Sequence, residues 1–224
     1  MHQQIPIRRG QGFVCRQTPS PAHAGNITPS HYAMELNDVF GDAIYTCRLQ
    51  LRRIRETDLP LLLTWSNCQE AFGPYLTPER QNAERLKEQF ATNLFWNRHD
   101  KTLLIETRNP VRPIGTIHYW LKPDQLGCAV VAVKIATAEQ RGCGYGTEAQ
   151  KFLIIQLFDQ VGVTQVEMYT DIDNKAQQRC LAKLGFSVDR SLTYGDHGVT
   201  RTGHLYRLTR KAFQRAAIYR YHYE

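Results

Sequence analysis

Arg141-Gly142-Cys143-Gly144-Tyr145-Gly146-Thr147-Glu148-Ala149 stands between an apolar run, Cys128 to Ala136, and a helical pattern, Lys151 to Gln160. The run reads as a strand whose near-continuous apolar character predicts burial on both faces. A glycine-rich turn between a strand and a helix turns several backbone N–H groups outward together. They add to the positive end of the helix dipole, and the combination binds phosphate oxygens. Gly144 and Gly146 allow close approach because no Cβ intervenes. Arg141 can supply charge-assisted hydrogen bonds. The bland alternative is a glycine-rich turn with no ligand.

Two common phosphate motifs do not fit. A dinucleotide fingerprint needs G-x-G-x-x-G, whereas the glycines here alternate at 142, 144 and 146. A P-loop needs G-K-[ST], and no lysine precedes Thr147 in that way. What fits is R-x-x-G-x-G, read as Arg141-x-x-Gly144-x-Gly146. It resembles the pyrophosphate loop of the GNAT superfamily of N-acetyltransferases. A second stretch strengthens the likeness: Asn174-Lys175-Ala176-Gln177-Gln178-Arg179-Cys180-Leu181-Ala182-Lys183-Leu184-Gly185-Phe186. In that family an Asn after the fifth strand opens a helix that ends in Lys-x-Gly-Phe. The interval between the two stretches holds one helix and one strand, as the family requires. The resemblance covers roughly residues 47 to 210 and points to the branch that acetylates protein N-termini, ribosomal proteins and many small amines.

The resemblance implies an α+β fold. A mixed, mostly antiparallel sheet is flanked by helices, and its fourth and fifth strands splay apart to admit the pantetheine arm of acetyl-CoA, or of another acyl-CoA. It implies cofactor contacts from Lys134, Ile135 and Ala136 on the fourth strand, and from Arg141, Gly142, Cys143, Gly144, Tyr145, Gly146 and Thr147 in the loop. Asn174 would meet the pantetheine arm. Lys183 would reach the adenosine phosphates, or stand as an exposed helical lysine. Cys143 reads as a tolerated small residue rather than a nucleophile.

Composition agrees with one compact enzyme domain. The chain has 224 residues, 22% charged and 42% hydrophobic, a length that suits one domain with extensions. The net charge of +7 and pI near 9.2 favour anionic ligands. CoA is one such ligand; the lack of a dense basic run or nucleic-acid motif favours a solvated basic surface over nucleic-acid binding. Six cysteines form no C-x-x-C pair and the eight histidines do not cluster, so no metal site is expected. With no apolar run of membrane length, the reading is a reduced, cytoplasmic protein, its oligomeric state open.

Residues 1–46 read as an extension, partly packed on the domain and loose at its start. Residues 47–210 form the acyltransferase domain, and 211–224 a basic, aromatic tail with a short helix, packed on the domain or touching a partner. Within the domain, Cys47 to Ile54 alternates as a strand. A helix capped by Thr57 or Asp58 runs through Trp65. Thr77-Pro78 opens a second helix to about Asn97. Strands follow at Thr102 to Thr107, Pro113 to Leu121 and Cys128 to Ala136. After the loop come a helix to about Val161, a strand Gln165 to Asp171, and a helix Lys175 to Leu184. Two strands close the domain, near Ser187 to Tyr194 and Thr202 to Leu208.

Acetyl transfer needs a proton acceptor for the amine and a donor for the departing thiolate. Relatives often carry a Glu early in the fourth strand, where this chain has Val131, and a Tyr four residues before the glycine of Lys-x-Gly-Phe, where it has Leu181. The Ser that the N-terminus-acetylating branch places three residues after the Asn is Gln177. The substitutes are His118, since a histidine can take a proton near neutrality, Glu106, and Asp171 beside the splay. Each has a structural alternative: a strand histidine, an exposed strand-end charge, and a carboxylate that shapes the turn before Asn174. Tyr169 and Cys180 are further candidates, more simply read as packing. The reading is an N-acetyltransferase acting on a primary amine of a small molecule or of a peptide or protein. The alternatives are transfer of a longer acyl chain, for which Ala132 and Ala136 would leave room, and a catalytically weak acyl-CoA-binding protein.

Overall fold

A single sheet organises the chain. The computed structural model describes residues 41–220 together with a two-residue strand, β1 (Ile5–Pro6). The other strands are β2 (Ala43–Tyr45), β3 (Leu49–Arg53), β4 (Asp100–Arg108), β5 (Val111–Leu121), β6 (Cys128–Ile135), β7 (Gln165–Asp171), β8 (Ser187–Asp196) and β9 (Val199–Thr209). Their order across the sheet is β1-β8-β9-β7-β6-β5-β4-β3-β2. All neighbours are antiparallel except β6–β7 and β1–β8. The mixed, mostly antiparallel sheet flanked by helices is the expected fold. The expectation of a loose, partly packed extension falls mostly on residues 1–40, outside the described residues except for β1.

Helices cover both faces. α1 (Leu59–Asn67), α2 (Gln69–Phe72) and α3 (Ala83–Ala91) lie between β3 and β4 in sequence. Trp65, Phe72, Leu59 and Leu62 bury one sheet face with Ile54, Leu104 and Ala136. α4 (Tyr145–Gln156), continued by a π-turn Leu157–Val161, and α5 (Lys175–Lys183) cover the other face. There Ala149, Leu153, Ile154 and Leu181 pack on Leu51, Leu103, Ile117, Val131, Val166 and Met168. Because side chains alternate along a strand, Glu167, Tyr169 and Asp171 of β7 and Val130, Ala132 and Lys134 of β6 point to the α1–α3 face.

Three local expectations change. Thr77 does not cap a helix: its hydroxyl donates to Asp196 (2.9 Å) and accepts from Arg201 (3.1 Å). With Arg80 at φ +47, the chain turns before α3, and Asn82 is the cap, accepting from the Arg85 N–H at 2.8 Å. β8 and β9 are longer than expected, joined at His197-Gly198, both with positive φ (46° and 88°), a geometry suited to a two-residue hairpin turn. β6 is buried from Cys128 to Val131, but Ala132 is exposed and the rest half-buried, because its neighbour strand leaves it there. The tail forms α6 (Arg210–Arg215) and a 3-10 turn Ala217–Tyr219. Phe213 and Tyr219 are buried in the main core, so these residues pack on the domain.

Candidate active site

The gap between β6 and β7 is the centre of the site. Their parallel ladder has three pairs, Cys128↔Gln165, Ala129↔Val166 and Val130↔Glu167, and then ends. Beyond it β6 stays with β5 as far as Ile135, whereas β7 stays with β9 as far as Asp171. The freed edge of β6 has a definite phase. Ala136 donates to the Ile114 carbonyl (2.8 Å) and Lys122 to the Cys128 carbonyl (2.9 Å). Bonded pairs alternate along an antiparallel ladder. The even-numbered residues of β6, Lys134 among them, therefore spend their backbone groups on β5, and Val133 and Ile135 turn theirs to the gap. Of the expected trio Lys134, Ile135 and Ala136, only Ile135 offers its N–H, and Val133 takes the place of the others. Ala136 is buried with Leu104 and Trp65. The Lys134 ammonium lies 3.9 Å from the centre of the Phe72 ring, and burial holds it below the usual lysine range, opposed by Glu79.

The glycine-rich loop lies at the open end of the gap, past the last residues of β6. Gly142 and Gly144 have φ of +75 and +83, and Gly144 is the residue from which α4 starts. This left-handed conformation, which side chains rarely adopt, aims the first amides of α4 outward. A Cβ on Gly144 would stand 3.3 Å from the Arg48 guanidinium. The Arg141 guanidinium is engaged by main-chain carbonyls. It donates to the carbonyls of Ile135 (2.9 Å) and Ala136 (3.4 Å), and to that of Glu70 in α2. It braces loop, strand and helix. A second brace was not legible in the sequence: Arg48 pairs with Glu148 (2.7 Å) and donates to the Cys143 carbonyl (3.0 Å), while Thr46 donates to Glu148 at 2.6 Å. Burial raises the Glu148 carboxyl, but these hydrogen bonds outweigh it and hold it below its ordinary range. A groove of about 700 Å³ beside the loop is lined by Arg48, Gly144, Thr147, Lys151 and Lys183. Lys183 thus stands by the loop, with Lys151 as a second cation beside it.

Asn174 caps α5, its side-chain oxygen accepting from the Gln177 N–H at 3.1 Å. Beneath the cap a buried polar chain joins the two helices. Gln177 donates to Gln150 (2.7 Å), which donates to the Cys180 sulfur (3.2 Å), and that sulfur also lies 3.1 Å from the Thr147 hydroxyl. Burial pushes the Cys180 thiol up, which suits packing rather than reaction.

The face of the gap on the α1–α3 side carries the titratable groups. His118 pairs with the exposed Ala132. Its Nε2 lies 2.6 Å from the Asp100 carboxylate, and its ring stacks on Trp120 at 5.0 Å. Across the gap, Asp171 accepts from the Asp173 N–H (2.9 Å) and lies 3.6 Å from Arg201. It therefore shapes the turn before Asn174 and stands at the mouth of the gap as well. Glu106 is withdrawn as a candidate. It is buried, not exposed, and both its oxygens accept from Arg52 (2.7 and 2.8 Å), which also grips Asp58 with two bonds.

The amino-acid sequence from residue 48 to 187, more than half of the chain, matches the family model of the acetyltransferase (GNAT) domain. The chain belongs to the GNAT acetyltransferase family. As such it is an acyl-CoA-dependent N-acetyltransferase, with acetyl-CoA as cosubstrate and an amine as acceptor. Solved structures share the fold. A ribosomal L7/L12 alpha-N-protein acetyltransferase, RimL, in complex with coenzyme A is 16% identical, with a TM-score of 0.65 over 76% of this chain and 99% of that one. Mycobacterium smegmatis RimJ is 17% identical, with a TM-score of 0.63 over 77% and 87%. The aminoglycoside acetyltransferase AAC(6')-Ib in complex with coenzyme A is 23% identical, with a TM-score of 0.60 over 75% and 98%. No curated protein matches the chain.

Seen as an acetyltransferase, the protein brings most of the sequence-derived residues to one gap. The loop from Arg141 to Thr147, Ile135, Asn174 and Lys183 surround the end where β6 and β7 are far apart, while His118 and Asp171 face it from opposite banks. Sequence reasoning missed Asp100, Arg48 and Val133. Asp100 lies 18 residues from His118 in the chain and meets it only through strand pairing. Among the described residues no group of His, Cys, Asp or Glu could hold a metal ion, and no helix is long and apolar enough to cross a membrane.

Proposed function

We propose that the acetyltransferase places the acetyl group of acetyl-CoA at the closed end of the β6–β7 gap and passes it directly to a primary amine arriving on the α1–α3 face. The observation that supports this most is the ladder that ends at Val130↔Glu167 while the β6 edge continues to a glycine-capped helix start. The outward amides of Gly144, Tyr145 and Gly146, with Gly142, Cys143 and Thr147 beside them, hold the pyrophosphate, and Lys151 and Lys183 flank the adenosine end. Val133 and Ile135 bind the extended pantetheine as an added strand, and Asn174 lines the arm. The Val133 N–H, nearest the closed end, serves the developing oxyanion. His118, oriented by Asp100, takes the proton of the amine, and Asp171 steers the amine at the mouth.

The acceptor belongs to one of two classes: a small amine, or the amine of a peptide or protein. The relatives with like folds act on both kinds, as their names state. Residues 47–210 serve as the catalytic domain, with 1–46 and 211–224 as its extensions. The five free cysteines among the described residues fit a reducing, cytoplasmic setting.

Calorimetric titration with CoA, acetyl-CoA and longer acyl-CoAs tests the cofactor site. Gly144→Asp forces a side chain into a left-handed position and adds a negative charge at the phosphate cradle, so binding is expected to fall at least 100-fold. Undiminished affinity in the variant would overturn the loop assignment. A preference for longer acyl-CoAs would replace acetyl as the donor.

A further inference from the structure

Both the fourth-strand Glu and the last-helix Tyr of the family's pattern are absent, and Leu181, in the place of that Tyr, is wholly buried in the core. Leu181 has no proton to give the cofactor thiolate. The gap itself supplies one. Tyr169 is the first residue past the end of the β6–β7 ladder, after Glu167, whose side chain emerges on the α1–α3 face. Its counterpart on β6, Ala132, is exposed and puts only a methyl group into the space between. From Ala136 back to Val131 the freed edge of β6 is about 16 Å long at 3.3 Å per residue. An extended arm anchored at the loop thus delivers its sulfur to the closed end, beside Tyr169.

The surroundings of Tyr169 are built rather than incidental. The fully buried Glu167 carboxylate accepts from Lys122 (2.6 Å) and pairs with Arg207 (3.1 Å). The Lys122 ammonium, held on Glu167 two residues from Tyr169 on the same face of β7, brings a positive charge to the Tyr169 side, and that charge favours the phenolate. On the other side the Tyr194 ring lies 6.2 Å away, its centre tilted against that of Tyr169, and seated where a Cβ on Gly203 would meet it at 2.9 Å. Burial raises the Tyr169 phenol above its usual range, while Lys122 and Arg190 lower it and Glu167 raises it. The phenol is thus protonated at neutral pH, with a cation beside it to receive the phenolate.

We infer that Tyr169 is the catalytic acid that protonates the departing CoA thiolate, with Lys122, fixed by Glu167, as its positioning residue. This rests on the proposed place of the thioester. The amine nitrogen bonds to the carbonyl carbon, the C–S bond breaks and its electron pair goes to sulfur. The Tyr169 proton moves to sulfur, giving CoA thiol. The proton lost by the amine goes to His118; His118 releases it to solvent, and the Tyr169 phenolate, stabilised by Lys122, takes one back from solvent.

The test needs no acceptor. The thiolate of bound CoA is titrated by its ultraviolet absorbance in the wild type, Tyr169→Phe and Tyr194→Phe, with CoA affinity measured in parallel by calorimetry. A phenol that donates to the thiolate favours the charged form. The expected result is unchanged affinity in both variants at a pH where bound CoA is a thiol, and at higher pH a thiolate fraction about tenfold lower in Tyr169→Phe alone. Equal titration curves, or the same shift in Tyr194→Phe, with CoA bound, would overturn the role of Tyr169 and leave the cofactor site standing. Absence of CoA binding by the wild type would overturn the proposed site and this inference together. The Phe variant keeps the ring, and its thermal transition, compared with the wild type, separates a folding defect from a lost hydroxyl; should it fail to fold, 3,5-difluorotyrosine at 169, a more acidic phenol, must raise the thiolate fraction.

Discussion

At residue scale, the same carboxylate chemistry serves two ends in this sheet. Glu106 and Asp58 are buried on a single guanidinium, Arg52, which makes four side-chain bonds to them. Burial alone raises the Asp58 carboxyl, but the Arg52 bonds and the Arg55 N–H more than offset this and hold it below its ordinary value. Such a group stabilises the fold at neutral pH and loses that contribution as pH falls through its ordinary range near 4 and below. Arg52→Met leaves two buried carboxylates unpaired, and a loss of about 3–5 kcal/mol is expected in urea denaturation. The loss shrinks toward acid pH, where the Asp58 carboxyl takes a proton. Asp100 holds His118 instead, where both side chains remain about one-third exposed (33% and 37%) and a substrate can reach them. His118→Ala is expected to lower the rate with any amine the enzyme acetylates by about 100-fold or more and to leave CoA affinity unchanged. Asp100→Asn should give a smaller loss. Equal rates in His118→Ala across pH would remove it from the mechanism.

At the scale of elements, the second helix shows where capping signals mislead. Thr77-Pro78-Glu79 has the composition of a helix start, yet the Thr77 hydroxyl is held by Asp196 and Arg201, which are 119 and 124 residues away in sequence. Those partners exist because β8 and β9 extend to a tight hairpin through main-chain pairing of polar residues, which side-chain alternation does not reveal. Arg201 ties this hairpin to the loop after α2 and, through Asp171, to the mouth of the gap. Asn82→Ala is therefore expected to destabilise the protein by about 1 kcal/mol through the lost cap of α3. Thr77→Ala should leave helix content in circular dichroism unchanged and speed proteolysis between residues 73 and 81. A loss of helix signal in Thr77→Ala would restore it as the cap.

At the scale of the molecule, the tail is part of the core. The Phe213 ring stacks on Phe158 at 4.5 Å, and the Tyr219 hydroxyl donates to the Leu184 carbonyl (2.8 Å) at the end of α5. A chain cut after residue 210 would uncover Phe158 and release the C-terminal end of α5, near the cofactor groove. Phe213→Ala is expected to cost about 3–5 kcal/mol, seen as a lowered thermal midpoint, and truncation to cost more. A truncated chain that melts at the wild-type temperature would show the tail to be dispensable.

The sequence by itself determined the order of strands and helices from β3 to β9 apart from α2, the turn from β6 into α4 and the cap of α5. These depend on neighbours within a few residues: glycines at left-handed positions, an asparagine before a helix, apolar runs of strand length. The family likeness followed from the same local patterns. Only the tertiary structure decided which backbone groups of β6 face the gap, since that phase depends on pairing with β5. It also decided that Arg141 braces the loop on strand and helix, that Glu106 is spent on Arg52, and that Asp100 lies against His118. Side chains far apart in the chain meet through strand register and helix packing, and a charge's role is fixed by the partners that folding brings to it.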